Sequence, residues 1–202
     1  MNLIGLAVFI PALMVAMTIH EAAHALMGHW LGDPTAKNHG RLSLNPFVHI
    51  DPIFTVLIPA IMIAMNIPPI LAAKPVPFNP YAVRFGEFGA ALVALAGPLS
   101  NMLLALITAI VLRAMDDGST VYAIVRSFMI LNISLSIFNL IPWPPLDGSR
   151  VLYAFAPSPV KKLMDSIEAM GMVGLFIFIF VAFSAISPLI HYVENGLLRW
   201  LT

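Results

Sequence analysis

The 202-residue chain is 60% hydrophobic and only 10% charged, with a mean hydropathy of +0.93. A soluble domain is roughly half apolar and a quarter charged, so this composition describes a protein embedded in a membrane. Ten basic and ten acidic residues cancel, leaving no basic face for nucleic acid. There are no cysteines, which excludes disulfides and thiolate metal sites.

Five stretches approach the roughly 20 apolar residues that a helical span needs: 3–27, 53–73, 88–112, 122–141 and 170–190. The first lacks a basic leader and is too long for a signal-peptide core, so it reads as a retained span. GRLSLNP (40–46) alternates apolar and polar residues as a short strand would. AKPVPFNP (73–80) is extended by its prolines and could pair with it as a hairpin. Pro59, Asn66, Pro68 and Pro69 suit a broken or re-entrant element in 53–73. If that stretch returns to its own side, Lys37, Arg41, Lys74, Arg84, Arg150, Lys161 and Lys162 share one face, the cytoplasmic one. If it crosses, lysine and arginine divide evenly and orient nothing. The expected fold is therefore an all-α polytopic bundle of four transmembrane helices, or five if 53–73 crosses. A small membrane-associated β-hairpin accompanies it. One membrane-embedded domain covers 1–202, with a core over about 3–157, a last span at about 170–190 and an interfacial tail containing Arg199 and Trp200.

In the first span, Glu21 is the only charged residue between Leu3 and Met27, and His20 and His24 flank it as HEAAH. Residues i and i+4 share a helix face, so both imidazoles can reach one metal ion. The intervening acid is placed to take a proton from water activated there. An ionisable residue at mid-membrane costs about 3 kcal/mol by insertion scales, which makes this cluster a functional candidate. A catalytic zinc takes a third protein ligand and leaves one position open. Asp147 is the candidate, beyond Pro142, Pro144 and Pro145 and next to Gly148. The same residue would also suit a turn or a helix N-cap.

HEAAH (20–24), AGPLSN (96–101) and NLIPWPPLDG (139–148) together resemble the site-2 protease family of intramembrane zinc metalloproteases. GRLSLNP, HIDPI (49–53) and AKPVPFNP resemble its compact members without PDZ or CBS domains, and the likeness covers about 18–152. It implies that His20, His24 and Asp147 hold Zn2+ and that Glu21 is the general base. It also implies that the Asp147-bearing span runs parallel to the HEAAH span, with one crossing between them. Asn139 would bond the substrate or the developing oxyanion, or else bridge two helices. Gly97 and Asn101 read as packing residues. Single-pass membrane proteins are the implied substrates, in a prokaryotic cell membrane, with the lipid bilayer as the other partner. Leu42, Ser43, Leu44 and Asn45 are the expected strand edge for substrate capture. His29, His39, His49 and His191 read as ordinary surface or interfacial histidines. The rival reading is a zinc-binding transporter or scaffold that hydrolyses nothing. It does not need Glu21, and the polar residues gather at one depth rather than along a path.

Overall fold

The structure, a computed structural model, describes residues 3–49, 76–178 and 183–201. α1 (Leu3–Trp30) is apolar all round, as a helix in lipid is. A short α2 (Thr35–Asn38) and a 3-10 turn (Pro46–His49) follow it. α3 (Glu87–Leu112) and α4 (Thr120–Asn139) are the next long helices. Then come the short α5 (Asp147–Phe155), α6 (Ser158–Ala169) and α7 (Met172–Ile177), and finally α8 (Phe183–Leu201).

Among the described residues, three helices are long and apolar enough to cross a membrane: Ala7–Trp30 within α1, α3 and α4. The described residues alone do not support the expectation of four or five. Within the stretch 170–190, residues 179–182 lie outside the described residues. α7 ends at Ile177, and α8 begins at Phe183 with Pro188 inside it. The stretch 53–73 lies outside the described residues.

The β-hairpin is also corrected, since no strand occurs among the described residues. The polar side chains of GRLSLNP bond their own backbone and not a neighbouring strand. The Asn45 N–H donates to Ser43 Oγ at 3.1 Å, the Phe47 N–H donates to Asn45 Oδ1 at 3.1 Å, and Arg41 reaches the Val48 carbonyl. Such local bonds offer the chain an alternative to a ladder.

α3 is the centre of the bundle. Its buried side is built from Ala90, Ala94, Gly97, Asn101, Ala105, Thr108 and Leu112, spaced as one helical face. Leu92, Leu99, Leu103, Ile107 and Ile110 point outward. Small residues inside and large ones outside allow close approach between helices in lipid, where packing replaces the hydrophobic effect. Antiparallel register with α1 is fixed by Asn101 against Ala16 and by Val93 against His24. Antiparallel register with α4 is fixed by Asn101 against Asn132 and by Pro98 against Ser136. α1 and α4 are therefore parallel, with one described helix between them. Ala105, Ala109, Leu112, Met129 and Ile133 pack the α3–α4 core.

Candidate metal centre

HEAAH occupies an unbroken part of α1, so His20 and His24 stand one turn apart. Their Nε2 atoms are 3.0 Å apart. α4 ends at Asn139, and a turn through Trp143 brings the chain back. In that turn the Trp143 N–H donates to the Ile141 carbonyl at 2.8 Å, and the Leu146 N–H to the Trp143 carbonyl at 2.8 Å. The Trp143 indole donates to the Gly174 carbonyl at 3.3 Å and stacks near the fully buried Phe178. Asp147 is the first residue of α5. Gly148 lets that helix start directly against the turn, because a Cβ there would lie 2.1 Å from the Leu140 carbonyl oxygen.

Asp147 Oδ2 thereby sits 3.1 Å from His20 Nε2 and 3.4 Å from His24 Nε2. The protonation pattern follows from the outer partners. His24 Nδ1 lies 2.7 Å from the Val93 carbonyl, which can only accept, so Nδ1 carries the proton. His20 Nδ1 lies 2.6 Å from Asn101 Oδ1 and donates likewise. Each ring then turns its Nε2 toward the same point. Asp147 Oδ2 is buried there without a hydrogen bond. Three potential ligand atoms lie within 4.8 Å of one another and could hold a cation. Two imidazoles and a carboxylate with room for a fourth ligand are a zinc donor set. Gly97 keeps that space clear. A Cβ on it would stand 2.4 Å from His24 Nε2 and 2.6 Å from His20 Cε1.

Glu21 is half-buried beside this group, and its Oε2 accepts the Val76 N–H at 3.0 Å. The extended residues 76–79 are anchored again at their far end, where the Asn79 N–H donates to Asp33 Oδ2 at 2.8 Å. Asp33 is buried just beyond α1. Burial disfavours its charge, but bonds from the Asn79 N–H, the Thr35 hydroxyl and the Thr35 N–H prevail and hold its carboxyl below the usual value.

Chain comparisons identify the family. A family model described as "Peptidase family M50" matches residues 114–182. Over 190 residues the chain is 36% identical to "Putative zinc metalloprotease YwhC" of Bacillus subtilis (strain 168), covering 90% of this chain and 81% of that protein. The chain belongs to peptidase family M50, the site-2 proteases. "Putative zinc metalloprotease Rip2" of Mycolicibacterium smegmatis is 24% identical over 192 residues, covering 93% of this chain and 70% of that one. "Zinc metalloprotease MJ0392" of Methanocaldococcus jannaschii is 28% identical over 153 residues, covering 76% and 35%. No solved structure matches. This M50 member is a multi-pass membrane zinc metalloprotease.

The remaining site expectations fare unevenly. Among the described residues Asn139 bridges no helices through its amide, which donates to the Leu135 carbonyl in its own helix at 3.0 Å. Leu42, Ser43, Leu44 and Asn45 form an irregular loop, with Leu44 71% exposed. His49 is buried rather than superficial, its Nε2 2.9 Å from the Ser43 carbonyl oxygen. Gly97 and Asn101, expected to serve packing, both touch the histidines. The signal for that was available in the sequence: residues 97 and 101 repeat the four-residue spacing of 20 and 24.

Proposed function

We propose that this M50 protease hydrolyses peptide bonds in or beside transmembrane segments of single-pass membrane proteins. His20, His24 and Asp147 hold the zinc, and Glu21 is the general base. The observation that carries the reading is Asp147 Oδ2, buried without a hydrogen bond against two imidazole nitrogens and set among membrane-length helices. When bound, zinc supplies Lewis acidity that activates water and polarises the scissile carbonyl.

The chain's own residues do the rest. With Oε2 held by the Val76 N–H, Glu21 offers Oε1 to the attacking water, takes its proton and delivers it to the leaving amine nitrogen. Asn139 spends one N–H on Leu135 and keeps a second for the developing oxyanion. The exposed loop at Leu42, Ser43, Leu44 and Asn45 captures an extended substrate segment through its backbone. Cleavage that survives proline at both Leu42 and Leu44 would remove this last element.

Among the described residues, His20, His24 and Asp147 are the group able to hold a metal. A transport path would need further stations along the helices. Purified wild type and Glu21→Gln are to be compared on a transmembrane substrate in liposomes. The variant should retain zinc and lose about 10²- to 10⁴-fold in rate. Equal cleavage sinks the proposal.

A further inference from the structure

Asn132 lies in α4, fully buried, with no contact to the three presumptive ligands among its hydrogen bonds. Its Nδ2 donates to the Phe128 carbonyl at 2.9 Å, and its Oδ1 accepts from Asn101 Nδ2 at 2.8 Å. Asn101, also fully buried, donates in addition to the Ala16 carbonyl at 3.2 Å and receives His20 Nδ1–H at 2.6 Å. Two of these partners, the carbonyls of Ala16 and Phe128, can only accept. The Phe128 carbonyl makes Asn132 present oxygen to Asn101. Asn132 and Ala16 together take both N–H groups of Asn101, so its oxygen must face His20. His20 then carries its proton on Nδ1 and leaves Nε2 bare.

We propose that Asn132 is a positioning residue for zinc, fixing the tautomer of His20 through Asn101. The inference rests on the reading of His20 as a zinc ligand. Without the Asn132 acceptor, only the Ala16 carbonyl opposes a flip of the Asn101 amide. A flipped amide presents N–H to His20 Nδ1 and moves the ring proton onto Nε2, where zinc must displace it. Such outer partners are worth about 10- to 100-fold in metal affinity. The relay also ties α4 to a ligand on α1, so helix packing and metal affinity become coupled.

The test measures zinc affinity of the metal-stripped protein in detergent, by competition with a chelating indicator. Asn132→Leu should bind zinc about tenfold more weakly. Asn132→Asp, uncharged at this depth, keeps an acceptor for Asn101 and a donor for Phe128, and should restore affinity. Asn101→Leu with Asn132→Leu should be no weaker than Asn101→Leu alone, because the second residue acts only through the first. Histidine ¹⁵N spectra should show His20 protonated at Nδ1 in wild type and shifted toward Nε2 in Asn132→Leu. If that variant fails to fold, Asn132→Ala carries the same expectations. Wild-type affinity in Asn132→Leu, multiplying losses in the double variant, or an unchanged tautomer would each overturn the proposal. His20→Ala separates the two levels. If it retains zinc, the ligand reading fails. If it loses zinc while Asn132→Leu does not, the relay alone fails.

Discussion

His20 and His24 lie one turn apart within a 28-residue helix, whereas Asp147 opens a nine-residue helix after a proline-rich turn. Both histidines have an outer partner, Asn101 for one and the Val93 carbonyl for the other. The Asp147 oxygen proposed as a ligand has none. The histidine turn is thus oriented by the protein before metal arrives. The aspartate turn is positioned by backbone alone, through the tight start of α5 at Gly148, and its oxygen remains unsatisfied. A buried polar atom left unpaired costs about 1–3 kcal/mol, and more when charged. On the proposed ligand set, the difference teaches that metal would complete the aspartate side of the site and merely join the histidine side.

The sharpest way to break this contrast is Asp147→Ala. Removing the ligand should cost more than the about 10- to 100-fold assigned to an outer partner. Yet the metal-free variant should melt close to metal-free wild type, because the deleted carboxylate has no partner outside the two imidazoles beside it. The rise in Tm on adding zinc, which wild type should show through binding to the folded state, should vanish. A metal-free Tm well below wild type would show that Asp147 supports the fold itself.

Gly97→Ala attacks the other side. Its methyl group would lie 2.4 Å from His24 Nε2, so the rings must move by about 1 Å to reach contact distance. Zinc affinity should drop by about 10- to 100-fold, and cleavage should fall at least in proportion. The metal-free fold should hold, since alanine favours a helix over glycine by about 1 kcal/mol. Titration with zinc beside a melting curve checks both halves. Unchanged affinity would mean that the imidazoles yield freely and are not held as argued.

The same contrast explains what the sequence discloses. HEAAH is legible because the proposed ligands and base lie within five residues of one helix, where spacing alone fixes the face. Asp147 needed a proline-broken segment and a family resemblance, since nothing local sets its distance from His20. Asn132 reads as a stray amide in an apolar span, because its partner is 31 residues away on another helix. The all-helical membrane fold follows from composition and run length. The strand at 40–46 does not, because alternation marks a strand only where a ladder partner exists, and Ser43 and Asn45 bond their own backbone there instead. His49 was misplaced because a histidine in a polar loop gives no sign that the loop folds over it.

The smallest expected effect lies at Asp33, which touches neither turn but secures the extended residues that reach Glu21. Its carboxyl is held below its ordinary value because bonds from Asn79 and Thr35 outweigh burial. The sign follows directly: a lowered folded-state value stabilises the ionised form. The anchor should be at full strength above the unfolded carboxyl value of about 4, and should fade as pH falls through the lower folded value. Hydrogen exchange at the Asn79 amide, corrected for its intrinsic pH dependence, should therefore be slow at neutral pH and accelerate only under acid. Asp33→Asn should exchange fast throughout, by roughly the 1.5–3 kcal/mol of a charge-assisted bond. Zinc affinity should be the same as wild type, since no ligand or outer partner is altered. If zinc binding weakened along with the anchor, the extended residues would have to act on the metal centre itself, and the division into a preset histidine turn and a metal-completed aspartate turn would need a third part.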